Sequence, residues 1–321
     1  MELSPQSKEI LLIALGGNAL IRKGQTGTTE EQFANLRLPI GQIAELVDEY
    51  RIIITYGNGP QVGNLLLQQD SCSEVPKLPL EILVAQTQGQ IGYMIESSLD
   101  SKLALRGRSK DIVSLLSYVV VDRDDPAFAK PSKPIGPAYS KDKAATMPFP
   151  TAVTPKGYRR VVASPRPLTI VEKREIKKLI DRDFIVICCG GGGIPVTREG
   201  RTFHGIDAVV DKDLASAKLA EEVGADLFVI ATDVQGVYKN FGRDDEELLP
   251  SLSTEEAEQY LTEGHFGEGS MGPKIEAGLE FIKHGGQKTI ITSIDAIIPA
   301  IRGKAGTVIA PPEVTGHMAR N

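Results

Sequence analysis

The chain has 321 residues, 41% hydrophobic and 24% charged, with a formal net charge of −6. That is an ordinary globular composition with room for one large or two medium domains, and the negative balance argues against broad binding to nucleic acid or an anionic membrane. Three cysteines cannot make a disulfide framework, the Cys and His positions lack zinc-type spacing, the polar start Met1–Glu9 does not read as a signal peptide, and no apolar run is long enough to span a bilayer. We therefore expect a reduced, cytoplasmic setting.

Ile10–Leu15 reads as a buried strand, and Phe33, Leu36, Ile40, Ile43, Leu46, Val47 and Tyr50 recur at helical spacing, with Pro39 expected to kink or break the pattern. Ile52–Thr55 is a second strand, followed by a helix that opens at Pro60. A long helix is predicted from about Leu80 to Leu105 and a strand over Ile112–Val121. From Asp122 to Tyr158 seven prolines break the rhythm; we expect a lid-like excursion or small subdomain without a clear helix. Val171–Asp181 reads as a helix, Phe184–Cys189 as a strand, and Val196–Phe203 as a hairpin turning at Glu199-Gly200. A helix over Asp211–Val223 and a strand over Asp226–Ala231 follow. After them come a helix over Gly272–His284, a strand over Lys288–Thr292, a short helix over Asp295–Arg302, a strand over Thr307–Ala310 and a tail from Pro311. Apolar strands alternating with helices predict an α/β fold on a mainly parallel sheet. A seam is expected near residues 220–225, dividing a lobe of residues 1–222, which includes the excursion, from a lobe of residues 223–321.

Three glycine turns close apolar strands: Gly16-Gly17-Asn18, Gly57-Asn58-Gly59 and Gly190–Gly193. Bare backbone at a strand's carboxyl end lets N–H groups surround an anion, so three such turns on one sheet edge point to phosphate handling. The spacing in Gly57–Gly63 is wrong for a dinucleotide fingerprint, and no phosphate-binding loop of the Walker type occurs. Asn18 and Asn58 could donate amide hydrogen bonds or simply favour the turns. Phosphoryl transfer also needs positive charge. Lys212, in Asp211-Lys212-Asp213, and Lys274, after Gly272-Pro273, sit at predicted helix starts, and Lys133 sits on the excursion. Asp213 could orient the lysines or cap its helix. Thr232-Asp233 and Tyr238 follow a strand and suit a nucleoside pocket.

Together, Ala14–Leu20, Gly57–Gly63, Gln88–Tyr93, Lys133–Pro137, Asp211–Asp213 and Gly269–Lys274 resemble, in order, the motifs of the carbamate kinases of the amino acid kinase superfamily. The likeness runs from about Ile10 to Ile309. It implies a three-layer sandwich around a mainly parallel eight-stranded sheet with a small protruding subdomain. It implies reversible phosphoryl transfer between ATP and carbamate with Mg2+ as cofactor and no protein-held metal, by a cytoplasmic homodimer of arginine metabolism that binds neither nucleic acid nor membrane. By motif position, Gly16, Gly17, Asn18, Gly57, Asn58 and Gly59 would hold the acceptor and phosphoryl group. Lys133, Lys212 and Lys274 would neutralise it with Asp213 as organiser, and Thr232, Asp233, Tyr238, Met271 and Gly272 would surround the nucleotide. Tyr56 stands where that family usually has His, Thr87 where Ser is usual, and Gln235 where Asp is common. The residues by themselves leave open a sister kinase acting on another small acid, a nucleotide-binding regulator and, against the glycine spacing, a dinucleotide oxidoreductase.

Overall fold

The structure, a computed structural model, describes residues 8–154, 157–266 and 271–312. Residues 1–7 of the polar start, Pro155, Gly269-Ser270 of the last motif and residues 313–321 of the expected tail lie outside them.

In chain order the elements begin with β1 (Ile10–Leu15), α1 (Thr29–Leu46), β2 (Arg51–Tyr56), α2 (Gly59–Ser71), α3 (Leu80–Ala104) and β3 (Ile112–Ser114). Next come β4 (Tyr118–Val121), β5 (Lys133–Tyr139), α4 (Lys141–Ala145), β6 (Thr151–Thr154), β7 (Gly157–Val162) and β8 (Pro167–Ile170). They are followed by α5 (Lys173–Ile180), β9 (Ile185–Ile187), β10 (Ile194–Glu199), β11 (Thr202–Gly205) and α6 (Lys212–Val223). The rest is β12 (Leu227–Thr232), β13 (Val237–Lys239), β14 (Glu247–Leu249), β15 (Ser251–Ser253), α7 (Thr254–Thr262), α8 (Met271–Lys283), β16 (Lys288–Ser293), α9 (Ile297–Ile301) and β17 (Thr307–Ala310).

The main sheet has eight strands in the order β15-β17-β16-β12-β1-β2-β9-β3, and only the β16–β17 pairing is antiparallel. Its central strands are apolar throughout because both faces are covered. Leu12 and Ala14 pack with Ile53, Phe228 and Ile230 under α5, α6 and α8. Leu11, Ile13 and Leu15 pack with Ile52, Ile54 and Val229 under α1, α3 and α9. Burying each such Leu or Ile fully is worth roughly 1.5–3 kcal/mol, so the sheet is a stiff base for the loops at its ends. This is the predicted three-layer sandwich.

The sequence reading assigns no element to β8, β13, β14, β15 or α7, and it departs from the structure in three further places. The apolar run Ile112–Val121 is two strands, not one: β3 pairs with β9 in the main sheet, while β4 pairs with β10 and β8 in a four-stranded second sheet. The crossing is made at Ser117, whose N–H donates to Gln88 Oε1 at 2.9 Å and whose carbonyl accepts from Gln88 Nε2 at 3.2 Å. Periodicity cannot see that break, because both halves are apolar and no glycine or proline parts them. The excursion, expected without a helix, contains α4, capped by Ser140 Oγ, and an antiparallel sheet ordered β5-β7-β6. Its last strand runs to Val162, past the expected Tyr158, because Arg160–Val162 pair with Lys133–Ile135. Finally, Pro39 lies inside α1 without ending it. The helix is fastened elsewhere, at a capping box where Thr28 Oγ1 accepts from Glu31 N and Glu31 Oε2 accepts from Thr28 N.

At the end of β9 the chain turns sharply through Gly190–Gly193. Gly192 has φ +90°, and a Cβ there would lie 2.5 Å from the carbonyl oxygen of Val210. Gly192→Ala is therefore expected to cost at least about 2 kcal/mol in stability. A shift of the urea-unfolding midpoint to lower concentration, at unchanged slope, checks this.

Candidate active site

On either side of β1 the chain winds in opposite directions: β2, β9 and β3 lie one way, β12 and β16 the other. Open α/β sheets bind ligands at such a switch point, beyond the carboxyl ends of the strands. The glycine turns meet there. Gly16 N donates to Ala231 O at 2.8 Å and Gly57 N to Leu15 O at 3.0 Å, which ties the turn after β1 to both neighbouring strands. Gly17 and Asn18 continue into a short 3-10 turn, and Gly59 opens α2. A Cβ on Gly57 would lie 3.2 Å from Gly17 N and 3.4 Å from Lys212 Cδ, so the two turns and the first residue of α6 are in contact.

Asn58 and Asn18 part company. Asn58 is 3% exposed, and its Nδ2 donates to Thr87 Oγ1 at 2.9 Å, so its amide braces the turn from beneath. Asn18 instead lines the open clefts.

The lysines converge from three distant segments. Lys212 Nζ donates to Asp213 Oδ1, and Lys274 Nζ donates to Asp213 Oδ2 at 3.1 Å. Lys133 Nζ reaches from the excursion to Asp211 Oδ2 at 2.6 Å. Asp211 Oδ1 accepts from Asp213 N at 2.9 Å, so Asp211, not Asp213, caps α6. Asp213 is 2% exposed. Burial by itself would raise its carboxyl, but the two ammonium charges and their hydrogen bonds outweigh that and hold it at about 2. Burial depresses Lys212 below the usual lysine range against the pull of Asp213. For Lys274 burial also acts downward, but Asp213 prevails and the ammonium lies above its ordinary value. Three ammonium groups stand beside the glycine turns, held by Asp211 and Asp213, with Asp233 acting on Lys274 from the cleft, an arrangement that can neutralise a travelling phosphoryl group.

Two clefts flank this cluster. One, of about 100 Å³, is lined by Thr232, Asp233, Tyr238, Phe241, His265, Phe266, Met271 and Lys274. Gly272, the second residue of α8, is buried at its side. The other, of about 760 Å³, runs between Asn18, Gly59, Pro60 and Gly63 of the main body and Pro134, Gly136, Ala138 and Arg159 of the excursion. Asp233 belongs to both, and Thr232 Oγ1 donates to its Oδ1 at 3.1 Å.

Behind the turns lies a polar layer that sequence reasoning did not assign. Tyr56 Oη donates to the carbonyl of Gln88 at 2.8 Å, Gln88 Nε2 donates to the carbonyl of Gly190 at 3.0 Å, and Cys189 N donates to Ser117 Oγ at 3.1 Å. Burial pushes the Tyr56 hydroxyl far above the ordinary phenol range, so it serves as a neutral donor. Tyr56 and Thr87 therefore support the turns from beneath. Phe241, His265 and Phe266 were also missed; they fall in polar connecting segments with no periodicity to mark them. Asp211 was visible only as a neighbour of Lys212, although an acid just before a helical run is a cap signal.

The profile of the amino acid kinase family matches residues 9–293. A carbamate kinase of Thermococcus kodakarensis is 45% identical over 309 residues, 93% of this chain and 98% of that protein. Carbamate kinase 2 of Enterococcus faecalis is also 45% identical, over 93% of this chain and 98% of its own length. The solved carbamate kinase of Giardia lamblia bound to AMP-PNP superposes with a TM-score of 0.88 at 38% identity, covering 95% of this chain and 99% of that one. N-acetylglutamate synthase of Neisseria gonorrhoeae shares only the fold, at 16% identity and a TM-score of 0.57. The chain belongs to the amino acid kinase family, on its carbamate kinase branch, and is a phosphotransferase.

Proposed function

We propose that the protein transfers a phosphoryl group reversibly between ATP and carbamate, giving ADP and carbamoyl phosphate. The observation that carries this reading is the convergence of Lys133, Lys212 and Lys274, through Asp211 and Asp213, on the glycine turns of β1 and β2. The nucleoside would lie in the cleft of Tyr238, Phe241, Phe266 and Met271, and the acceptor in the cleft roofed by the excursion. On this reading the lobe of residues 1–222 holds the acceptor and that of residues 223–321 the nucleotide, with the excursion as a closing lid.

Carbamate is already an anion, so its oxygen can attack without a general base. The protein's work is then alignment and charge neutralisation. Backbone N–H groups of Gly16, Gly17, Gly57 and Gly59, with the Asn18 amide, would orient the phosphoryl oxygens, while Lys212 and Lys274 neutralise them. Asp213 keeps those ammonium groups charged and in place and touches no substrate. Lys133 approaches from the excursion. Magnesium would enter on the nucleotide, its ligands mostly phosphate oxygens and water. Asp233 fits that role, as a carboxylate on both clefts that accepts from the Thr232 hydroxyl and acts electrostatically on Lys274. When bound, the ion supplies further positive charge to the phosphates. Among the described residues no helix is long and apolar enough to cross a membrane. A cytoplasmic location, a role in arginine metabolism and a homodimer complete the reading. The exposed Tyr93 and Leu105 on and beside α3 are a suitable face for the second copy.

Coupled detection of ATP from ADP and carbamoyl phosphate tests the reaction; no ATP above background would overturn it. Lys212→Ala and Lys274→Ala should each lower turnover more than about tenfold while the fold persists, and wild-type turnover in both would remove their role. Asp213→Asn should destabilise by about 3 kcal/mol, because two buried cations lose their counter-charge. The sign of the pH effect follows from the depressed carboxyl. Its stabilisation is complete above about pH 5, where the carboxylate is ionised even unfolded, and is lost progressively as pH falls through about 4 to about 2. Urea titrations between those values should show a flatter pH dependence in Asp213→Asn than in the wild type.

A further inference from the structure

Most cations around the acceptor cleft already have a carboxylate. Lys133 pairs with Asp211, Lys212 and Lys274 with Asp213, and Arg22 with Asp295 at 3.1 Å. Lys23 is exposed at the rim. Arg159, on β7, is different. It is half-buried and lines the cleft opposite Asn18, Gly59 and Pro60. Its Nε donates to the carbonyl of Gly136 at 3.0 Å. Among the described residues, its two terminal nitrogens have no hydrogen-bond partner and no carboxylate pairs with them. Burial is what pulls this guanidinium below its ordinary value, with no acidic neighbour acting against it. The next residue, Arg160, shows the contrast: it pairs with Asp207 at 3.5 Å.

A half-buried charge without a counter-charge is costly unless a ligand supplies one. The geometry also limits which ligand. With Nε–H spent on Gly136, the donors left are those on the terminal nitrogens, whose planar fork matches two coplanar oxygens. The fork is held firmly. Gly136 abuts α2, where a Cβ on Gly63 would lie 3.2 Å from Gly136 Cα, so the carbonyl that anchors Arg159 sits where the excursion touches the main body.

We propose that Arg159 is the acceptor-binding cation, taking a planar carboxylate-type anion on its terminal nitrogens; the anion is carbamate if the reaction proposed above holds, and the inference rests on that reading for the ligand's identity. The lysine cluster then serves the phosphoryl end and Arg159 the acceptor end. Two like-charged reactants are thus bound by separate cations on either side of the transfer. The assignment also makes the excursion part of acceptor selection, because its β7 strand carries the group that recognises a flat anion.

The test uses the full-length protein with Arg159→Gln and Arg159→Lys. In the direction of ADP formation, Arg159→Gln should raise KM for carbamate about tenfold or more and leave KM for ATP within about twofold. Arg159→Lys, which keeps the charge and loses the fork, should fall between the two. A carbamate KM within about twofold of wild type in Arg159→Gln overturns the proposal, and full rescue by lysine overturns planar recognition. Calorimetric ADP binding verifies that each variant is folded. A second readout is independent of turnover: line broadening of 13C-acetate in NMR spectra, expected with wild type and lost with Arg159→Gln. Equal broadening by both proteins, or none by the wild type, removes the site. A wild type that broadens acetate but makes no carbamoyl phosphate would refute carbamate as acceptor while leaving the anion site intact.

Discussion

One buried carboxylate organises the centre of this molecule. Asp213 receives Lys212 from its own helix and Lys274 from α8, two segments far apart in the chain. Without that carboxylate the two ammonium groups would repel each other in a poorly solvated place, and neither would remain reliably charged. With it, each lysine has a fixed position and a fixed protonation state before any substrate arrives. A site meant to stabilise charge in flight gains most from groups oriented in advance, since no energy then goes into turning them during the reaction. Asp211 repeats the device one step away. It closes the end of α6 with one oxygen and takes Lys133 of the excursion with the other.

The glycine turns need a comparable foundation, because bare backbone has no side chains with which to hold itself. That foundation is the layer of Tyr56, Thr87, Gln88 and Ser117, which joins β2, α3 and the start of β4 to the turn after β9. It explains how large changes of residue type can be accommodated near the site. At Tyr56, where the family resemblance leads one to expect His, the ring packs against Gly190 and the hydroxyl is spent on a backbone carbonyl. What that position requires is a buried donor of suitable shape, and a phenol satisfies it.

Much of this was legible in the sequence, and the reason is physical. Strands buried on both faces are apolar throughout, and glycine turns and helix starts are local signals, so the main sheet and three lysines could be placed from residues nearby in the chain. The departures are non-local. Nothing in Ile112–Val121 marks the change of sheet at Ser117, because that change is stabilised by Gln88 in another element. The order within the excursion arises from pairing between β5 and β7, which proline content obscures. Phe241, His265 and Phe266 come together only when the segments after β13 and α7 fold against α8. Arg159 was passed over for a related reason: an arginine's importance depends on which carboxylates fail to reach it, and a sequence shows only the arginine.

Acceptor chemistry and charge layout bear on each other. An acceptor that must lose a proton needs a base close to the phosphoryl path, and a lysine cluster there would disfavour taking up that proton. An acceptor that arrives as an anion needs cations instead, and it brings a second negative charge toward a nucleotide that already carries several. The lysine cluster, together with a guanidinium lacking a carboxylate of its own, suits that second case. It also gives the excursion a physical reason to close. On the proposed reading, with both anions bound, attraction to Lys133 and Arg159 would draw the excursion toward the main body; with either absent, that attraction would weaken, and the cleft could open for exchange.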